Sequence, residues 1–92
     1  ELRIELEPFS EEDTFAYVRE RLTQAGRADR LFSNAALSRL HELSAGSVRM
    51  INDLAELALV AAAAQDMECV DTEIVDGAYS ELGHVEFRRR AA

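Results

Sequence analysis

Ninety-two residues, 48% of them apolar and 30% charged, describe one small domain near the lower size at which a single core suffices, with no room for a second. The formal charge of −8, from 18 acidic and 10 basic side chains, repels nucleic acid overall and argues against a free-standing DNA binder. One cysteine, Cys69, excludes an internal disulfide and a multi-cysteine metal site, and a small buried hydrophobe is its expected role. The longest apolar run, residues 57–64, falls far short of the roughly 20 residues that span a bilayer. No signal-peptide pattern opens the chain, and a soluble, cytoplasmic setting is expected.

Leu2, Ile4 and Leu6 alternate with Glu1, Arg3, Glu5 and Glu7 before Pro8, the period-2 pattern of a half-buried strand. A lone strand cannot satisfy its own backbone, so residues 1–9 are expected to be the remnant of a sheet belonging to a longer parent. Ser10 then offers an N-cap, Glu11, Glu12 and Asp13 load the first turn with the favourable sign, and Phe15, Val18, Leu22 and Ala25 recur at helical spacing until Gly26. After a polar connection, Ser33 caps a second helix, with Phe32 and Leu37 as a hydrophobic staple and Leu37, Leu40 and Leu43 inward.

Gly46 breaks the chain, and a third helix is expected from about Ser47 to Gln65. Ile51, Leu54, Ala55, Ala58 and Ala62 form its core stripe, while Arg49, Asn52, Asp53 and Glu56 share the other side. From Leu57 onward it is apolar nearly all round, which predicts the most buried element of the molecule. Asp71 caps a fourth helix with Val70 and Val75 as staple, Ile74, Val75, Ala78 and Leu82 inward, and Gly83 as terminator. These elements make residues 10–83 a four-helix, all-α domain, followed by a basic tail, residues 84–92, carrying Arg88, Arg89 and Arg90.

No phosphate loop of the G-x-x-x-x-G-K-[ST] type, no G-x-S-x-G and no H-E-x-x-H is present, so the isolated chain has no visible catalytic machinery. His41 and His84 lack a second ligand at metal spacing and read as structural. Tyr17 and Tyr79 read as partly buried helix residues. Arg49 stands out because it is a cation in the first turn of a helix, where the dipole typically penalises it by about 0.3 to 1 kcal/mol. The same place suits an anion, and an arginine beside the free N–H groups of a helix start can share a phosphate held there. The alternative is an arginine that points into water or pairs with Asp53 one turn later. Asn52, next round the helix, is placed to brace the Gly46 turn or the arginine through a side-chain hydrogen bond.

In these segments the chain resembles the C-terminal helical lid of AAA+ ATPases, most closely the general secretion pathway protein A (ExeA-like) family and related pilus-biogenesis and transposition ATPases. The resemblance runs from about Arg3 to Leu82. It includes Leu6-Glu7-Pro8-Phe9-Ser10-Glu11-Glu12, Leu31-Phe32-Ser33 with Ala36-Leu37, Ile51-Asn52 with Leu54, and Val70-Asp71-Thr72-Glu73 with Val75. Gly46-Ser47-Val48-Arg49 looks like the family's G-x-P-R sensor 2 motif, with Val48 where proline is usual. The resemblance implies, for Arg49 alone, that it reaches the γ-phosphate of ATP held with Mg2+ by a preceding α/β ATPase domain; Gly46 and Asn52 are expected to support it by their places beside it. It further implies that the parent is a homo-oligomer and that residues 1–9 continue the last strand of its sheet. Two other readings of the residues stand beside it. One is a free-standing helical adaptor with an apolar groove for a partner helix. The other is a helix-turn-helix whose recognition face would carry Asp53 and Glu56 with a single arginine, a poor match to DNA.

Overall fold

A computed structural model describes residues 7–27 and 31–91 of the chain, with side chains described as far as residue 83. The expected strand at Leu2, Ile4 and Leu6 lies outside the described residues. The fold is all-α: α1 spans Glu11–Gln24, α2 Asn34–Ser44, α3 Val48–Ala64 and α4 Thr72–Ala91.

Each helix begins where a short polar side chain can take over an orphan N–H group. Ser10 Oγ accepts from the Asp13 N–H at 3.1 Å while the Asp13 carboxylate accepts from the Ser10 N–H at 3.1 Å, a reciprocal capping box. Ser33 Oγ accepts from the Ala36 N–H at 3.0 Å, Ser47 Oγ from the Met50 N–H at 3.4 Å, and Asp71 Oδ1 from the Ile74 N–H at 2.9 Å. Both expected staples form, since Phe32 and Leu37 are buried together at the start of α2, as are Val70 and Val75 at the start of α4. The two staples also meet. Phe32 and Val70 form a parallel bridge in which the Val70 N–H donates to the Leu31 carbonyl at 2.7 Å and the Ser33 N–H donates to the Val70 carbonyl at 3.1 Å.

The core lies between α2, α3 and α4, and the broadest helix contact is α3 against α4. Leu37, Leu40, Ile51, Leu54, Val70 and Val75 are fully enclosed. α1 closes one side through Val18 and Leu22, with Phe15 half-buried. Its Ala25, expected on the buried face, is exposed past the end of the helix, where Gly26 turns the chain at φ +73°.

Four further expectations need correction. Gly83 does not end α4, which continues to Ala91, because one glycine costs a helix only about 1 kcal/mol and a terminator needs a left-handed residue as well. Cys69 is exposed in the short link after α3; the link is held through its neighbour Val70, leaving the adjacent side chain outside the core. Tyr79 is 43% exposed. The all-round apolar part of α3 is covered on one side only: Ala58 and Ala62 are buried, whereas Val60 is 65% exposed and Ala63 and Ala64 lie at the surface. Alanine buries little area wherever it points, so an alanine-rich turn can face water at small cost. Among the described residues, no helix is long and apolar enough to cross a membrane.

Candidate functional site

The junction of α2 and α3 is built from an unusual backbone. Ala45 adopts φ +52° at the C-cap of α2, and Gly46 follows at φ +82°. Two successive left-handed residues reverse the chain within one turn, and the turn is closed by the Ser47 N–H donating to the Ser44 carbonyl at 3.0 Å. Buried Ser44 reinforces it: its Oγ donates to the His41 carbonyl at 3.1 Å and accepts from the Gly46 N–H at 3.3 Å.

Gly46 is required for a second reason. The chain leading into α1 lies across it, with the Phe9 N–H donating to the Gly46 carbonyl at 2.9 Å. A Cβ on Gly46 would stand 2.5 Å from the Phe9 carbonyl oxygen and 2.9 Å from both the Phe9 nitrogen and the Pro8 Cβ. Those atoms are backbone or a rigid ring and cannot swing away. The segment on which the expected sheet remnant would continue is thus pressed onto the turn that opens α3.

From this turn α3 projects Arg49 into solvent at its second helical position. Val48 occupies the first helical position, where proline is tolerated because the N–H there has no intrahelical acceptor. No acidic residue stands in the first turn of α3, and Arg49 makes no ion pair or hydrogen bond with any described residue. The expected alternative of a pair with Asp53 is not formed. The Val48 and Arg49 N–H groups also lack intrahelical carbonyls. The arrangement offers one guanidinium and two adjacent N–H donors on a positive dipole end, a donor set that fits phosphate oxygens. It supplies no ligands for Mg2+, and no cluster of candidate metal ligands occurs among the described residues.

Asn52 braces neither the Gly46 turn nor the arginine. Its Oδ1 accepts from the Tyr17 hydroxyl at 2.9 Å, so it ties α3 to α1. Tyr17 in turn meets the Phe9 ring edge-on, with centroids 5.5 Å apart and planes at 70°. A closed circuit results: Phe9 to Gly46 through the backbone, Gly46 to Asn52 along α3, Asn52 to Tyr17 through a hydrogen bond, and Tyr17 back to Phe9 through the rings. Arg49 is mounted on the α3 arc of that circuit.

His41, read as structural, has a polar link to α1 that the sequence did not announce. Thr14, wholly enclosed in α1, gives its hydroxyl proton to the Ser10 carbonyl at 3.1 Å and lies 2.8 Å from His41 Nδ1. That contact ties α1 to α2. His41 is therefore structural, as expected. His84 has its side chain outside the described residues.

No family model matches the sequence, and no solved structure matches it. Among curated proteins the chain is similar to general secretion pathway protein A of Aeromonas hydrophila, with 46% identity over 63 residues. That match covers 68% of this chain and 12% of the relative, so the similarity concerns a small part of a much longer protein.

Proposed function

We propose that the chain is the C-terminal lid of an AAA+ ATPase related to the secretion proteins, in which Arg49 acts as a sensor 2 residue for bound ATP. Bound triphosphate would be contacted by the start of α3, and its hydrolysis would release that contact and let the lid or a neighbouring subunit move. ATP with Mg2+ would be held by an upstream ATPase domain, which supplies the phosphate loop and metal ligands; the chain itself contributes the arginine and the N–H groups beside it. The parent would work as a cytoplasmic homo-oligomer in secretion, pilus assembly or transposition. The observation that carries this reading is the exposed Arg49 at the start of α3, without a partner among the described residues, on a turn that Gly46 and Phe9 hold in one geometry. Similarity to general secretion pathway protein A supports it.

The test is turnover in the parent. Arg49→Ala is expected to lower ATP turnover at saturating ATP by roughly 10- to 1,000-fold, about 1.4 to 4 kcal/mol of transition-state stabilisation. The thermal midpoint of the 92-residue chain should not fall, because removing a cation from a helix start relieves repulsion. Lysine should rescue poorly, since it lacks the planar fork that engages two phosphate oxygens. Wild-type turnover in Arg49→Ala would return the arginine to an ordinary surface role. The helical adaptor would then be the better account, and the exposed apolar groove between α3 and α4 is the feature that favours it.

A further inference from the structure

The uncovered side of α3 faces α4 across an open groove of about 480 Å3 that the nucleotide reading does not use. Val60 and Met67 are its large exposed apolar side chains, Asp71, Glu73 and Glu81 bring carboxylates to it, and no basic side chain lines it among the described residues. Gly77 lies on the same groove in the middle of α4, where glycine costs a helix about 1 kcal/mol relative to alanine. No contact among the described residues demands that glycine: a Cβ there would meet none of their atoms within 4 Å. A bare helix surface bordered by apolar side chains is what another backbone needs for close approach.

We propose that this groove receives residues 84–91 of α4 from a second copy of the chain. Charge complementarity selects the occupant, because Phe87 is followed directly by Arg88, Arg89 and Arg90, a cationic stretch for a groove whose described lining is acidic. Length agrees too. Eight helical residues extend about 12 Å, and the wall of the groove from Asp71 to Glu81 extends about 15 Å. The segment cannot fill its own groove. It continues the same helix beyond Glu81, and a continuous helix does not fold back on itself. The contact joins unlike surfaces of two copies: it closes as a two-fold pair where the two tails are exchanged reciprocally, and runs on into a ring or filament where they are not. This inference does not depend on the nucleotide reading.

Sedimentation velocity on the 92-residue chain tests it, over a concentration series reaching millimolar at low salt. The expected result is concentration-dependent association that added salt weakens. Gly77→Gln, which fills the groove while favouring helix, should weaken association about tenfold or more without loss of helicity by circular dichroism. Arg88→Glu, Arg89→Glu and Arg90→Glu together should do the same. Mixing that triple variant with Glu73→Lys/Glu81→Lys should restore hetero-association, a readout that keeps its meaning even if Gly77→Gln disturbs folding. A wild-type chain that stays monomeric throughout the series would overturn the proposal. So would association of both variants with wild-type strength, or a charge-swapped pair that fails to associate.

Discussion

The two ends of α3 are opposites. At its start a glycine is buried under Pro8 and Phe9, its N–H and carbonyl both hydrogen-bonded, and one arginine is left outside. At its other end an apolar surface that a core would accept stands open, with Val60 and Met67 in contact with water. Apolar composition alone therefore does not mark what is buried. The start is fixed by backbone geometry that only particular residues satisfy, whereas the end is covered only as far as α4 reaches. A region of the first kind tolerates little substitution. A region of the second kind is free to serve a partner.

This contrast can be broken or sharpened by measurement. The largest effect is expected from Leu54→Ala, which empties a fully enclosed site where α3 packs into the core and should cost about 2 to 5 kcal/mol in urea denaturation. A loss under about 0.5 kcal/mol would mean that the buried stripe of α3 is rotated from its described position. Next comes Gly46→Ala, expected to cost about 1 to 3 kcal/mol, since it combines a left-handed backbone with a contact against Phe9 that cannot relax. Gly26→Ala is its control. That glycine has a similar φ of +73° but open space around it, so the cost should stay near 1 kcal/mol. Equal losses at the two glycines would show that the Pro8–Phe9 segment does not press on the turn. The smallest effect belongs to Val60→Ser, which should change stability by no more than about 0.5 kcal/mol, because the side chain it removes is largely in water. A larger loss would place Val60 in the core after all.

Much of this organisation was legible in the residues, for a local reason. Ser10, Ser33, Ser47 and Asp71 cap helices through bonds to groups three residues away, so each start is written within one turn of sequence. The stripe of Ile51, Leu54, Ala58 and Ala62 follows from helical period in the same way. What was not legible depends on distant partners. Thr14 meets His41, Tyr17 meets Asn52, and Phe32 pairs with Val70 across 38 positions of chain, as the numbering shows; no local pattern encodes any of these. Gly83 misled because a glycine signals a helix end only when the backbone there turns left-handed, and sequence shows the permission without the turn. At the candidate site, Arg49 and Gly46 were visible from their positions, but the weight of Phe9 on Gly46 was not, since it joins segments far apart in the chain.

The bridge between Phe32 and Val70 has a bearing on alignment. It joins the residues just ahead of the caps of α2 and α4, and because it is parallel it sets both helices off from one line in the same direction. Distance along either helix is then measured from a common zero. Arg39, seven residues beyond Phe32, meets Asp76, six beyond Val70, with Nε 2.6 Å from Oδ1, and its other arm reaches Glu42 at 2.7 Å. Those carboxylates, Asp76 foremost, hold the guanidinium's pKa above its usual value. The ion pair is thus a second mark on a ruler whose origin is the bridge. One residue inserted into α2 ahead of Arg39 would turn that side chain by about 100° and carry it off the mark. The spacing between cap and cation is therefore a constraint in its own right, set at the loop and enforced two turns away.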